Sequence, residues 1–148
     1  MSTSRSANFE DVRIGVRLKI SALWIAMLFL FAYGDIFGFF KPGQIEEVMS
    51  GEISGIEITQ VFLVAISIYI AIASVMIFVT LVLRPAVCRW VNVVLGALYA
   101  VSIVAAAIGE DAYYLFLSVA EIALLVLIVR YAWTWPRREG AGDPSLAG

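Results

Sequence analysis

The chain has 148 residues, of which 62% are hydrophobic and 15% charged, against about 45–50% and about 25% in an ordinary soluble domain. Its mean hydropathy is +0.95 at 16.2 kDa, more apolar side chain than a soluble globule of that size can bury. With a formal net charge of −2 there is no basic footprint for nucleic acid, so the composition excludes a soluble enzyme, a disordered chain and a nucleic-acid binder.

Histidine is absent and there is one cysteine, Cys88. The commonest general base and metal ligand is therefore missing, and no intrachain disulfide can form. No phosphate loop, nucleophile elbow, zinc motif or haem ligand pair appears, so no cofactor and no metal are expected.

In chain order, the first element is a short interfacial segment over 1–16, with Phe9, Val12 and Val16 at helical spacing beside Arg13. Four apolar runs follow, at about 20–40, 58–83, 91–108 and 112–135. Each is near the roughly 20 residues that cross a bilayer as a helix. Barrel strands are shorter and alternate apolar with polar residues, which these runs do not. The first run is too long for a signal-peptide core and lacks a small-residue cleavage site around Tyr33-Gly34-Asp35-Ile36. Between the first two runs, Pro42 and Gly51 frame a short extra helix over 44–50. The turns at 84–90 and 109–111 are short and make their flanking helices antiparallel neighbours. Residues 141–148 read as a flexible tail. The expected fold is all-α: one membrane domain, a four-helix antiparallel bundle with a small helix in its first outer loop.

Charge gives the orientation. Arg5, Arg13, Arg17, Lys19, Arg84, Arg89, Arg130, Arg137 and Arg138 fall on the side of the termini, and only Lys41 on the other. The positive-inside rule makes both termini cytoplasmic. Trp133 and Trp135 with Arg137 and Arg138 mark the cytoplasmic headgroup boundary. Glu46, Glu47, Glu52, Glu57, Glu110 and Asp111 lie on the outer side, as solvated loop charge or as an acidic funnel for cations.

Two acids lie inside the runs. Asp35 is about 22 Å along the first, and Glu121 about 14 Å into the fourth from its outer end. A carboxylate in hydrocarbon is costly and belongs on the bundle interior or in a wet cavity. No Lys or Arg lies deep enough to pair with either. Further polar residues share helix faces with them: Glu57, Gln60, Ser67, Ala71 and Ser74 in the second run, Asn92, Gly96 and Tyr99 in the third, and Tyr114, Ser118 and Glu121 in the fourth. These stripes converge on a small polar cavity opening outward, with Asp35, Gln60, Tyr99, Tyr114, Ser118 and Glu121 as candidate ligand- or proton-binding residues. Such stripes are also the ordinary signature of helix packing. The pair Gly34 and Gly38 spaces a close helix contact inside the bundle, and Cys88, in the cytoplasmic turn, reads as an inert thiol.

The segments Leu23-Trp24-Ile25, Tyr33-Gly34-Asp35-Ile36, Pro42-Gly43, Ile58-Thr59-Gln60, Arg89-Trp90-Val91-Asn92, Glu121 and Tyr131-Ala132-Trp133 resemble a family of small four-helix bacterial membrane proteins of unknown function. That resemblance implies a bacterial inner membrane and assigns no activity. A looser likeness is to DoxX-like and EXPERA-type four-helix proteins, the latter with intramembrane acids around a sterol-like ligand.

Three functions follow as expectations. The first is binding or transport of a small molecule or protons through Asp35 and Glu121. The second is a structural or accessory subunit whose protonated carboxyls tie helices together. The third is an EXPERA-like lipid or sterol-type binder or isomerase using the acid pair. The expected partners are the bilayer, a small-molecule or lipid ligand and, because four helices enclose little space, further copies of the chain.

Overall fold

A computed structural model describes residues 14–135. Most of the expected 1–16 segment, Arg137, Arg138 and the 141–148 tail lie outside these residues.

Four long helices dominate: α1 (Val16–Gly38), α3 (Gln60–Val82), α4 (Pro85–Ala106) and α5 (Ala112–Trp133). All four are long and apolar enough to cross a membrane, spanning about 33–35 Å at 1.5 Å per residue. A six-residue helix α2 (Gln44–Met49) and a hairpin of β1 (Glu52–Ile53) and β2 (Ile56–Glu57) fill the first loop. The fold is an all-α four-helix bundle, as the apolar runs imply.

Local chemistry sets the boundaries. Gly43 takes a left-handed φ of +85° as the N-cap of α2, so Pro42 precedes the cap instead of opening the helix. Thr59 caps α3, its Oγ1 accepting from the Phe62 amide at 3.1 Å. Pro85 stands in the first turn of α4, where its missing N–H costs nothing. The third helix therefore starts six residues before the expected 91, and the connection shrinks to Leu83 and Arg84. Cys88 thus belongs to the helix, is fully buried, and donates to the Thr80 carbonyl at 3.4 Å.

Helix α1 packs against α3 and α5, and α5 against α4. Of the adjacent pairs, the consecutive α3 and α4 approach least closely along their backbones, and long side chains fill the seam between them. Tyr69 Oη and Ser102 Oγ lie 2.6 Å apart, and Tyr99 Oη donates to the Tyr69 carbonyl. Deeper, buried Asn92 accepts from Trp24 Nε1 at 2.8 Å and Thr80 Oγ1 at 3.3 Å, and donates to the Cys88 carbonyl at 2.8 Å.

Gly96 lets α4 meet α5 closely: a Cβ there would lie 2.9 Å from Val129 Cγ2. A Cβ at Gly34 would lie 3.6 Å from Leu117 Cδ1, and one at Gly38 3.8 Å from Tyr113 Oη, both on α5 and both at ordinary contact distance. The spaced glycines thus face α5 inside the bundle, but a side-chain carbon fits at either, so the contact does not require them.

The inner face of α3 differs from the expected one. Tyr69, Ala73, Met76 and Thr80 point inward, while Gln60, Ser67, Ala71 and Ser74 are exposed. Ser67 and Ser74 satisfy their hydroxyls on the Leu63 and Ile70 carbonyls of their own helix, at 2.8 and 2.9 Å. Such back-bonding makes a serine tolerable on a lipid-facing surface.

Both bundle ends are fastened by charge. At the basic end, the Arg17 guanidinium lies 5.7 Å from the Trp135 ring, Lys19 Nζ 5.6 Å from Tyr131, and Arg89 5.0 Å from Trp133. The start of α1 and the end of α5 therefore share one end. At the opposite, loop end, Lys41 Nζ sits 2.8 Å from Asp111 and 3.5 Å from Glu110. The hydrogen bond to Asp111 holds the Lys41 ammonium above its ordinary pKa, and the nearby acids add to it.

Candidate functional site

The four long helices converge on one cavity of about 280 Å³ in the half of the bundle nearer the loop end. At about 30 Å³ per water, it has room for about nine waters or one small molecule. Helix α1 supplies Phe31, Gly34 and Asp35; α3 supplies Tyr69 between Ile66 and Ile70. Helix α4 contributes Ser102, and α5 lines the far wall with Tyr114, Ser118 and Glu121.

The placement follows from helical spacing. Tyr114, Ser118 and Glu121 are four and three residues apart, so they stack on one face of α5. Asp35 is three residues from the end of α1, about 5 Å from that end, whereas Glu121 is nine residues into α5, about 14 Å deep. Asp35 is exposed at the rim, and Glu121 is 6% exposed at depth.

The polar lining is two carboxyls, two phenols and two hydroxyls, with no Lys or Arg. Among the described residues, neither Asp35 nor Glu121 takes part in a hydrogen bond or ion pair, and the bundle's only ion pairs there are those of Lys41. Their oxygens are left to the cavity. No group of three or more His, Cys, Asp or Glu able to hold a metal occurs among the described residues.

Of the six expected site residues, Asp35, Tyr114, Ser118 and Glu121 line this cavity. Gln60 does not: it opens α3, exposed at the loop end. Tyr99 does not line it either. Its ring lies beneath the cavity, 4.4 Å from Tyr69 and 5.5 Å from Trp24. There it separates the cavity from the Trp24–Asn92 layer.

Tyr69 and Ser102 were not among the expected residues. Tyr69 sits on the face of α3 opposite the serine stripe. Its polar tip touches the cavity while its ring packs on Phe31 at 6.0 Å. Ser102 follows Tyr99 by three residues and donates back to the Tyr99 carbonyl at 2.8 Å. An i, i+3 relation to Tyr99 was the available signal.

No curated protein and no solved structure matches the chain, and the likeness to DoxX-like and EXPERA-type proteins gains no support. The model of a family of unknown function, DUF6326, matches residues 10–142. That span covers nearly the whole chain, and the protein belongs to this family.

Proposed function

We propose that this protein binds, and in an oligomer transports, a small molecule or protons through Asp35 and Glu121. The observation that carries the reading is one cavity lined by two carboxyls from different helices, neither engaged by another described side chain. A buried carboxyl held only for packing would be tied to a neighbouring helix. Here Asn92, Tyr69, Tyr99 and Ser102 make those ties instead, which speaks against a purely structural or accessory role. An acid-rich, aromatic-walled cavity without a basic residue favours a cation or a hydrogen-bond donor over an anion.

The setting we propose is a bacterial inner membrane, with one four-helix membrane domain and both termini cytoplasmic. The cavity then faces outward, beneath the acidic loops. A lipid or sterol-type substrate fits less well, because 280 Å³ is below the usual range of about 300–1,000 Å³ for drug-sized ligands.

The test uses the protein in liposomes and two probes. Proton flux is driven by a pH gradient, and thermal stabilisation is measured with tetramethylammonium and choline. The wild type should respond to at least one probe, and Asp35→Asn or Glu121→Gln should abolish that response. Responses identical in all three proteins would overturn the proposal.

A further inference from the structure

A second concavity lies on the outside of the bundle, between α4 and α5, and encloses about 430 Å³. Its floor is made of small residues, Gly96, Ala97 and Ala100, facing Leu125 and Val126. It ends at Arg130, Trp133 and Thr134. The groove is apolar along its length and charged only at its mouth.

Its dimensions fit one leaflet of a bilayer. Leu125 and Thr134 are nine residues apart, about 14 Å along the helix, close to half of the roughly 30 Å hydrocarbon core. The apolar channel therefore runs from mid-membrane to the level where tryptophans meet headgroups. Arg130 stands on the same face of α5 as Trp133 and Thr134, at spacings of three and four. Its long side chain can follow the groove and present its guanidinium at the surface. A guanidinium binds phosphate in a fork of two hydrogen bonds.

Among the described residues, the charge around the mouth has one sign. At this end the described residues include Arg17, Lys19, Arg84, Arg89 and Arg130 and no Asp or Glu. Arg89 lies 5.0 Å from the Trp133 ring, and its Nε is buried without a partner among the described residues. Arg89 does not line the groove, but its charge beside Trp133 adds to the positive field at the mouth.

We propose that this groove is a binding site for an anionic phospholipid from the leaflet at the basic end. One acyl chain lies over Gly96, Ala97 and Ala100, and the phosphate is held by Arg130. A second copy of the chain would fill the apolar groove equally well but would not use the cationic mouth. This site is separate from the carboxyl cavity and does not depend on what that cavity binds.

The experiment is native mass spectrometry of the detergent-purified protein titrated with phosphatidylglycerol and phosphatidylcholine of identical chains. Wild type should retain one phosphatidylglycerol with about tenfold preference, the worth of a charge-assisted contact. Arg130→Gln should remove the preference, and Arg130→Lys should keep part of it. Ala100→Leu, which fills an open groove rather than a packed core, should weaken both lipids. Equal retention of the two lipids by wild type would overturn the proposal, as would a preference unchanged in Arg130→Gln. A shift in oligomeric state on Ala100→Leu with lipid retention intact would overturn it too, assigning the groove to a second copy.

Discussion

The indole Nε1 of Trp24 in α1 donates to Asn92 Oδ1 in α4 at 2.8 Å, joining two helices that sit diagonally across the bundle. Both residues are fully buried, and the Asn92 amide also engages Thr80 and Cys88. One side chain thus fixes the relative height of three helices below the cavity.

Asn92→Ala leaves the Trp24 N–H and the Thr80 hydroxyl unpaired in an apolar interior. The expected loss is about 1–3 kcal/mol, reduced if the unfolded chain finds partners within the membrane. Thermal unfolding in detergent should show it, and Trp24→Phe in the Asn92→Ala background should cost less than it does alone.

Gly96→Ala places a methyl carbon 2.9 Å from Val129 Cγ2, so the Val129 side chain must give way at the α4–α5 contact. A cost of about 1–3 kcal/mol is expected for such overpacking. Adding Val129→Ala should recover part of it, and the double-mutant cycle in thermal unfolding measures how much.

The two faces of α3 give a third contrast. Ser67→Ala, on the outer face, should change stability by less than about 0.5 kcal/mol. Tyr69→Phe removes the contact to Ser102 at 2.6 Å but leaves the Tyr69 carbonyl for Tyr99. It should cost about 1 kcal/mol and alter any cavity ligand's affinity, while Ser67→Ala alters neither.

Lys41 clamps the ends of α1 and α5 through Asp111 and Glu110. Its pKa lies above the ordinary 10.5, chiefly through the Asp111 hydrogen bond. A raised pKa contributes stability that is complete below the ordinary value and lost as pH rises through the folded one. The difference in unfolding temperature between wild type and Lys41→Met should therefore hold steady from neutral pH to about 10.5 and fall away only above it, as pH passes the raised folded value. High salt should shrink it.

The spans, the small loop helix and the convergence of Asp35, Tyr114, Ser118 and Glu121 were legible because length, turn chemistry and 3.6-residue spacing govern them. The inner face of α3 was not. In water a polar stripe marks the outside and an apolar one the inside. In lipid the surroundings are as apolar as the core, so Ser67 and Ser74 carry no address. Tyr69 and Tyr99 face inward because the wide α3–α4 seam needs long side chains with polar tips. The start of α4 was missed because Pro85 reads as a break, yet in a first turn it opens a helix. Gln60 shares a stripe with Ser67, so it inherited the same misplacement.

Function through Asp35 and Glu121 requires that solutes enter their shared cavity from the loop end. Ser118, on the cavity wall beside Glu121, offers the most direct probe. In a Cys88→Ser background, Ser118→Cys would be exposed in sealed vesicles to small cationic and anionic thiol reagents that do not cross membranes. Labelling should come from the loop side and run faster for the cation, with the preference falling in Asp35→Asn and Glu121→Gln. A Cys at 118 that neither reagent reaches, or labelling indifferent to charge and to both acids, would contradict it.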